Sequence, residues 1–446
     1  MAASIKRLSL ILIGLLLFGY VVGNKGFAHI SVPPVFIGEV VLGLSLMLFM
    51  LAPDFRVVMR LPQVWLLLAF VGWCAFQTFP YIGEYGVDAL RDAVMYGYSL
   101  FGLLIAAYMH ERALLERACL LYDRAMTLAI LFLPLLLVVV DHSVTTPSEM
   151  SLVFLKSGDT AVHLAGVLAF RLIGLRASVR GQNTLGTRVL DLLFWLCWAS
   201  LAIWVASVSR GALLALVSGA AVMALLGHGR RQVATALVLL TLALGIVSLL
   251  SLRIEQDRRD ISVEQIFDNA TSVFGGDMGS GSDLASTAEW RLNWWGIIVD
   301  YTLFGDYFWT GKGFGINLSL DDRGSAGSDG QLRSPHNGHL TVLARAGVPG
   351  LLLWAATMTA FAVALARRSF QLRKAGLINW SKLNAWVLSY WAAAMVNATF
   401  DVYLEGPQGG IWFWSIFGFG LAVLGAERTL DTRYNAATAP APQASR

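Results

Sequence analysis

The chain has 446 residues, of which 57% are hydrophobic and 14% charged, with a formal net charge of +4. Soluble domains carry about 25% charged residues, so this composition describes an integral membrane protein and excludes a soluble one. So small a net charge gives no case for nucleic acid as a partner.

Lys6 and Arg7, followed by the apolar residues 8–22, superficially resemble a signal peptide. No small-x-small cleavage pattern follows in residues 23–30, and a second apolar run begins soon after, which predicts a retained first membrane helix. An apolar run of about 17–25 residues spans the hydrocarbon core. Candidate spans lie at roughly 8–23, 35–52, 63–80, 93–109, 125–140, 161–175, 190–208, 211–227, 232–250, 338–366, 384–400 and 409–425. The predicted fold is therefore an all-α integral membrane protein with about twelve transmembrane helices. Arg171 inside the sixth run weakens that span, and the seventh and eighth are separated only by Ser209-Arg210-Gly211. The three cysteines, Cys74, Cys119 and Cys197, lie in or beside apolar runs. They fit buried thiols better than a disulfide framework or a metal cluster.

Orientation follows from lysine and arginine placement, because cytoplasmic connections carry the excess. One set of connections holds Lys6 and Arg7, Arg56 and Arg60, Arg112, Arg117 and Arg124, Arg176, Arg180 and Arg188, Arg230 and Arg231, and the group from Arg367 to Lys382. The alternate connections hold little more than Lys25, Arg91, Lys156 and Arg210. Both termini are predicted to be cytoplasmic. The chain then divides into transmembrane helices one to nine (1–250), an outward loop (251–336), helices ten to twelve (337–428) and a disordered cytoplasmic tail (429–446). In a Gram-negative cell the outward side of the inner membrane is the periplasm.

Within the loop, residues 256–286 are Gly/Ser-rich and read as irregular. Residues 288–304 place apolar side chains at helical spacing beside Arg291 and Asp300, which predicts an amphipathic interfacial helix with tryptophans at headgroup level. Gly311-Lys312-Gly313-Phe314-Gly315 breaks that helix, and the stretch from Leu320 to Gln331 is again polar. The loop closes on Ser334-Pro335-His336-Asn337-Gly338-His339-Leu340, where the chain turns apolar again.

The candidate chemistry lies among the outward-side cations and this histidine segment. A guanidinium at membrane depth is costly unless paired, so Arg210 is a functional candidate; capping a helix end or snorkelling to headgroups is its structural alternative. Arg91 has acidic neighbours, Asp88 and Asp92, to pair with. Arg291 is either a solvated surface arginine or a phosphate clamp, since guanidinium matches phosphate oxygens bidentately. Arg333 and Arg345 flank the histidines and, with Lys312, could hold a diphosphate. The glycines around Lys312 lack the phosphate-loop pattern of nucleotide-binding proteins. His336 and His339 would share a helix face if the helix starts near Pro335. A neutral imidazole is a competent general base toward a hydroxyl, and Asn337 could cap the helix or orient a substrate.

These segments, in this order and position, resemble the O-antigen ligase / Wzy-type polymerase superfamily of bacterial membrane glycosyltransferases. The likeness rests on Ser209-Arg210-Gly211-Ala212, on Arg291 with Trp294-Trp295 leading to the glycine cluster, and on Pro335-His336-Asn337-Gly338-His339-Leu340 running into Ala344-Arg345-Ala346-Gly347-Val348-Pro349-Gly350. The resemblance implies transfer of a glycan from an undecaprenyl-diphosphate carrier to an acceptor hydroxyl at the periplasmic face, without a cofactor or metal. The acceptor would be lipid A-core in a ligase or a lipid-linked repeat unit in a polymerase. It further implies that His336 is the base and that Arg210 and Arg291 bind the diphosphate. His339 falls outside the core motif. A multi-span polysaccharide or lipid-linked-glycan transporter is the alternative from another class, although the two halves of the chain are unlike one another.

Overall fold

The computed structural model describes residues 1–32, 35–139, 153–176, 185–231, 234, 283–322 and 332–438. The expected ninth span at 232–250, nearly all of the irregular stretch 256–286 and the polar residues 323–331 lie outside the described residues. Among them the regular structure is helical, apart from a two-residue antiparallel pairing of Ser31–Val32 with Val35–Phe36 and a single parallel bridge between Asn24 and Phe154.

The main helices are α1 (Ala2–Ala28), α2 (Ile37–Leu51), α3 (Pro62–Thr78), α4 (Val87–Gly97), α5 (Ser99–Tyr108), α6 (Arg112–Val139) and α7 (Ser157–Leu172). They continue as α8 (Leu185–Val208), α9 (Arg210–Leu225), α10 (Asp283–Val299), α11 (Gly338–Lys374), α12 (Ile378–Phe400) and α13 (Pro407–Thr438). Every expected span apart from 232–250 falls on these helices, 93–109 being divided between α4 and α5. Among the described residues, seven helical stretches are long and apolar enough to cross a membrane, and α2 and α9 are shorter apolar helices. The last helix runs on to Thr438, so the stretch from Thr429, where a disordered tail is expected, is helical that far.

Packing centres on α12, which lies against α7, α9, α11 and α13; α13 in turn packs on α5, and α3 on α11. Buried cations near the other end of the bundle are neutralised. Arg171, with its side chain 5% exposed, meets Asp191 at 3.2 Å and donates to Thr127 at 2.7 Å. Arg368 pairs with Glu427 at 2.9 Å. This explains how an arginine is tolerated in the sixth apolar run: burying a guanidinium is costly only while it lacks a partner.

The glycine cluster has a backbone role. α11 breaks at Gly347 (φ 66°, ψ −171°), followed by Pro349. Proline has no N–H to return to the carbonyl four residues earlier, which frees the Arg345 carbonyl; it accepts from the Gly313 N–H at 3.1 Å. The Val348 N–H donates to the Phe308 carbonyl at 2.8 Å, and the Ala344 carbonyl accepts from the Lys312 N–H at 2.7 Å. A side chain on Gly347 would put Cβ 2.6 Å from the Phe308 carbonyl oxygen. The loop is thus bolted into the kink by main-chain bonds, satisfying groups that a straight helix satisfies internally.

α10 departs from the expected interfacial helix in its tryptophans. Trp294 is 1% exposed and packs with Ile298, Leu318, Leu343 and Ala344 against α11. Its indole N–H donates to Asp322 at 2.8 Å, and that of Trp295 donates to the Pro335 carbonyl at 2.8 Å. Buried indoles seek such acceptors, and these two bind the loop to the bundle. Leu292 and Ile297 are the exposed apolar residues of this helix.

Candidate functional site

One end of the bundle gathers the start of α9, the middle of α10, the segment before α11 and the junction between α12 and α13. Asn337 caps α11, its side-chain oxygen accepting from the His339 and Leu340 N–H groups at 3.0 and 3.1 Å. The helix therefore begins at Gly338 and not near Pro335, and the two histidines do not share a helix face. His336 lies outside the helix, in a left-handed conformation with φ 54°. For a residue other than glycine that conformation costs on the order of 1–2 kcal/mol, and such strain concentrates at functional positions.

The turn at His336 aims its ring at the end of α12. Nδ1 lies 3.9 Å from Asp401 Oδ1, and the Trp290 ring stands edge-on at 6.2 Å. Asp401 is fixed on its other oxygen by Lys156 Nζ at 2.6 Å and accepts from the Val402 N–H at 2.8 Å. Arg291 donates to the Phe400 carbonyl at 3.2 Å, and its charge interacts with those of Asp401 and Arg210. Ser209 caps α9, and Gly211 sits so close to α12 that an added Cβ would lie 2.9 Å from Phe400 Cβ. That approach holds Arg210 near Arg291. Below Asp401, the buried Asp159 accepts from Gln408 at 3.2 Å.

The electrostatics follow from this crowding. Burial, and then the Arg291 guanidinium, lower the His336 imidazole to about 4, with Asp401 partly opposing them; the ring is neutral at pH 7. Burial pushes the Asp401 carboxyl up, but Lys156 and His336 outweigh it and hold the group below its ordinary value. Burial lowers Lys156, and Asp401 with Asp159 more than compensate. The arrangement offers a neutral proton acceptor, a carboxylate beside it and two guanidiniums suited to an anion.

The other predicted residues are placed elsewhere. Arg345, 1% exposed, pairs with Asp92 at 2.9 Å and donates to the carbonyls of Gly313 and Ile316. Arg333 joins the same carboxylate at 3.3 Å and the Gly315 carbonyl at 2.8 Å. Lys312 is bound by Asp321 at 2.6 Å and by Asp322, with its ammonium 4.1 Å from the centre of the Tyr301 ring. These three cations belong to an acidic cluster that pins the loop, apart from His336. Arg91 is exposed, 3.9 Å from Asp88. His339 receives the Trp354 indole N–H on Nδ1 at 3.1 Å and meets the Met395 carbonyl through Nε2 at 3.3 Å, so both ring nitrogens are engaged in packing. Among the described residues no three His, Cys, Asp or Glu side chains are grouped to hold a metal ion. A cavity of about 460 Å³ between Arg112, Glu116, Leu175, Ile378 and Trp380 shares no residue with the site.

Lys156, Asp159 and Asp401 belong to this centre and were absent from the predicted site. The sequence did carry a signal for Lys156: it is one of the few basic residues left on the outward-side connections. Asp401 carries no motif.

Fold and site together define a multi-span membrane protein with a cationic, histidine-bearing centre at one end of its helices. Residues 195–355 match a family model described as O-antigen ligase, which bears out the resemblance to the O-antigen ligase / Wzy-type polymerase superfamily over that part of the chain. The matched residues include Arg210, Arg291 and His336 but neither Lys156 nor Asp401. No curated protein matches the chain.

Proposed function

We propose that the protein is a membrane glycosyltransferase of the ligase or polymerase type. It transfers an undecaprenyl-diphosphate-linked glycan to an acceptor sugar hydroxyl at the periplasmic face of the inner membrane. The observation that carries this proposal is the convergence of Arg210, Arg291 and the neutral, Asp401-backed imidazole of His336 at one end of an apolar bundle. Arg210 and Arg291 take the donor diphosphate and stabilise its charge as it leaves. His336 accepts the acceptor proton as the hydroxyl oxygen attacks the anomeric carbon. The glycosidic C–O bond to the diphosphate breaks, and Asp401 stabilises the imidazolium. Attack opposite the leaving group inverts the anomeric centre.

Helix polarity supports the assignment of sides. Lys6 lies at the start of α1 and Lys25 near its end, while His336 precedes α11 and Arg368 and Arg373 lie near its far end. The site thus occupies the arginine-poor end of the helices, the outward one by charge bias. The test is deletion of the gene, with complementation by wild type, His336→Ala and Arg210→Ala, followed by glycan analysis. Both variants are expected to fail to restore the product at normal protein levels. Single repeat units without polymer in the deletion identify a polymerase; free lipid-linked polymer that never reaches lipid A-core identifies a ligase. Full activity of His336→Ala overturns the mechanism.

A further inference from the structure

The N-terminal helix contributes a cation that the mechanism above does not use. α1 is broken at Asn24 (φ 48°, ψ −126°), where the chain turns out of the helix. The Lys25 N–H donates to the Phe154 carbonyl at 3.1 Å, and the Phe154 N–H donates to the Gly23 carbonyl at 3.2 Å. This bridge fixes Lys25 beside the segment that carries Lys156, and the Lys25 ammonium lies 5.5 Å from the Phe154 ring centre. Lys25 is half-buried. Among the described residues no carboxylate lies within ion-pairing distance of it, although it senses Lys156, Asp401 and Asp159 through space. Lys156 has Asp401 as its partner at 2.6 Å; burying a second ammonium nearby without a carboxylate of its own is an arrangement from which folding alone gains nothing.

The four cations Lys25, Lys156, Arg210 and Arg291 outnumber the three carboxylates that act on them, Asp159, Asp401 and Glu405. They also divide. Arg291 interacts with Arg210 and Asp401, whereas Lys25 interacts with Lys156, Asp401 and Asp159. The arginines come from the start of α9 and the middle of α10, with Arg291 on the Phe400 carbonyl at 3.2 Å, whereas Lys156 precedes α7 and holds Asp401 Oδ2 at 2.6 Å, with Lys25 bridged to its segment. In a displacement with inversion, leaving group and acceptor lie on opposite sides of the reacting carbon. With the diphosphate on the arginines, the lysines fall to the acceptor.

We propose that Lys25, together with Lys156, forms an acceptor-side anion subsite that takes a phosphate or carboxylate carried by the acceptor near its reacting hydroxyl. This rests on the proposed assignment of the arginines to the donor. The anion has two possible sources, the diphosphate of a lipid-linked acceptor or an acidic group on the acceptor sugar.

The test is equilibrium binding of inorganic pyrophosphate and of glucuronate to the full-length protein in nanodiscs, comparing wild type, Lys25→Gln, Lys25→Arg and Arg291→Gln. Wild type is expected to bind pyrophosphate at two classes of site. Lys25→Gln should weaken one class at least about tenfold, as expected for loss of a charge-assisted contact, while Lys25→Arg retains it. Glucuronate binding that depends on Lys25 points to an acidic sugar; pyrophosphate binding alone points to a lipid diphosphate. Unchanged isotherms in Lys25→Gln overturn the subsite, as does equal loss in Lys25→Gln and Lys25→Arg with a lowered melting temperature. If Arg291→Gln leaves both classes intact while Lys25→Gln removes one, the donor assignment fails and the anion contact at Lys25 stands.

Discussion

Asp401→Asn removes the charge beside His336 with little change of shape. The two side chains are 3.9 Å apart and 23% and 18% exposed. At that separation a carboxylate–imidazolium pair is worth about 4 kcal/mol with an effective dielectric constant near 20, and about 1 kcal/mol in bulk water. In the proposed mechanism the imidazolium exists only once His336 has taken the acceptor proton, so the loss should fall on the transition state and not on donor binding. Each 1.36 kcal/mol is about tenfold in rate, which places the expected fall in kcat between about fivefold and about a thousandfold. The measurement is single-turnover glycan transfer in nanodiscs at saturating donor, with donor affinity measured separately. Asp401 also anchors Lys156 at 2.6 Å, so a melting curve must accompany the rate. A kcat within twofold of wild type at unchanged donor affinity and melting temperature refutes the role given to Asp401.

Three further outcomes are expected. His336 is lowered from 6.5 to about 4 in the folded protein, so its contribution to stability is present above pH 6.5 and is lost as pH falls toward 4. The acid limb of kcat/KM reports the same group in the free enzyme; Arg291→Gln removes a repelling charge and should move that limb upward, and an unmoved limb in the pH–rate profile would count against the assignment. Arg345→Met leaves Asp92 short of a buried partner and should destabilise the fold by about 3–5 kcal/mol, read by denaturant unfolding, whereas a wild-type midpoint would show the pair to be idle. Gly347→Ala meets both a positive φ and the Phe308 carbonyl; a cost of at least about 1–3 kcal/mol should appear as faster proteolysis within residues 305–315, and wild-type resistance would contradict the bolted-loop description.

Much of the fold was legible because membrane helices are written in long apolar runs: the expected spans on the described residues are helical, and seven helical stretches are long and apolar enough to cross a membrane. The burial of Trp294 was not legible for a local reason: periodicity shows that it is on an apolar stripe, not that Asp322 lies across from its indole. The same limit separated the histidines. Spacing of three suggested one helix face, but Asn337 takes the capping position and leaves His336 outside.

By itself the sequence determined a helical membrane protein, the arginine-poor end of its helices and the motif residues Arg210, Arg291 and His336. Only the tertiary structure decided which cations lie beside His336 and Asp401 and which are paired elsewhere. Arg333, Arg345 and Lys312 look equivalent to Arg291 along the chain, yet Asp92, Asp321 and Asp322 neutralise them. Asp401 and Lys156 reach His336 from distant segments. Charge pairing falls off with distance in space, and a linear chain does not display that distance.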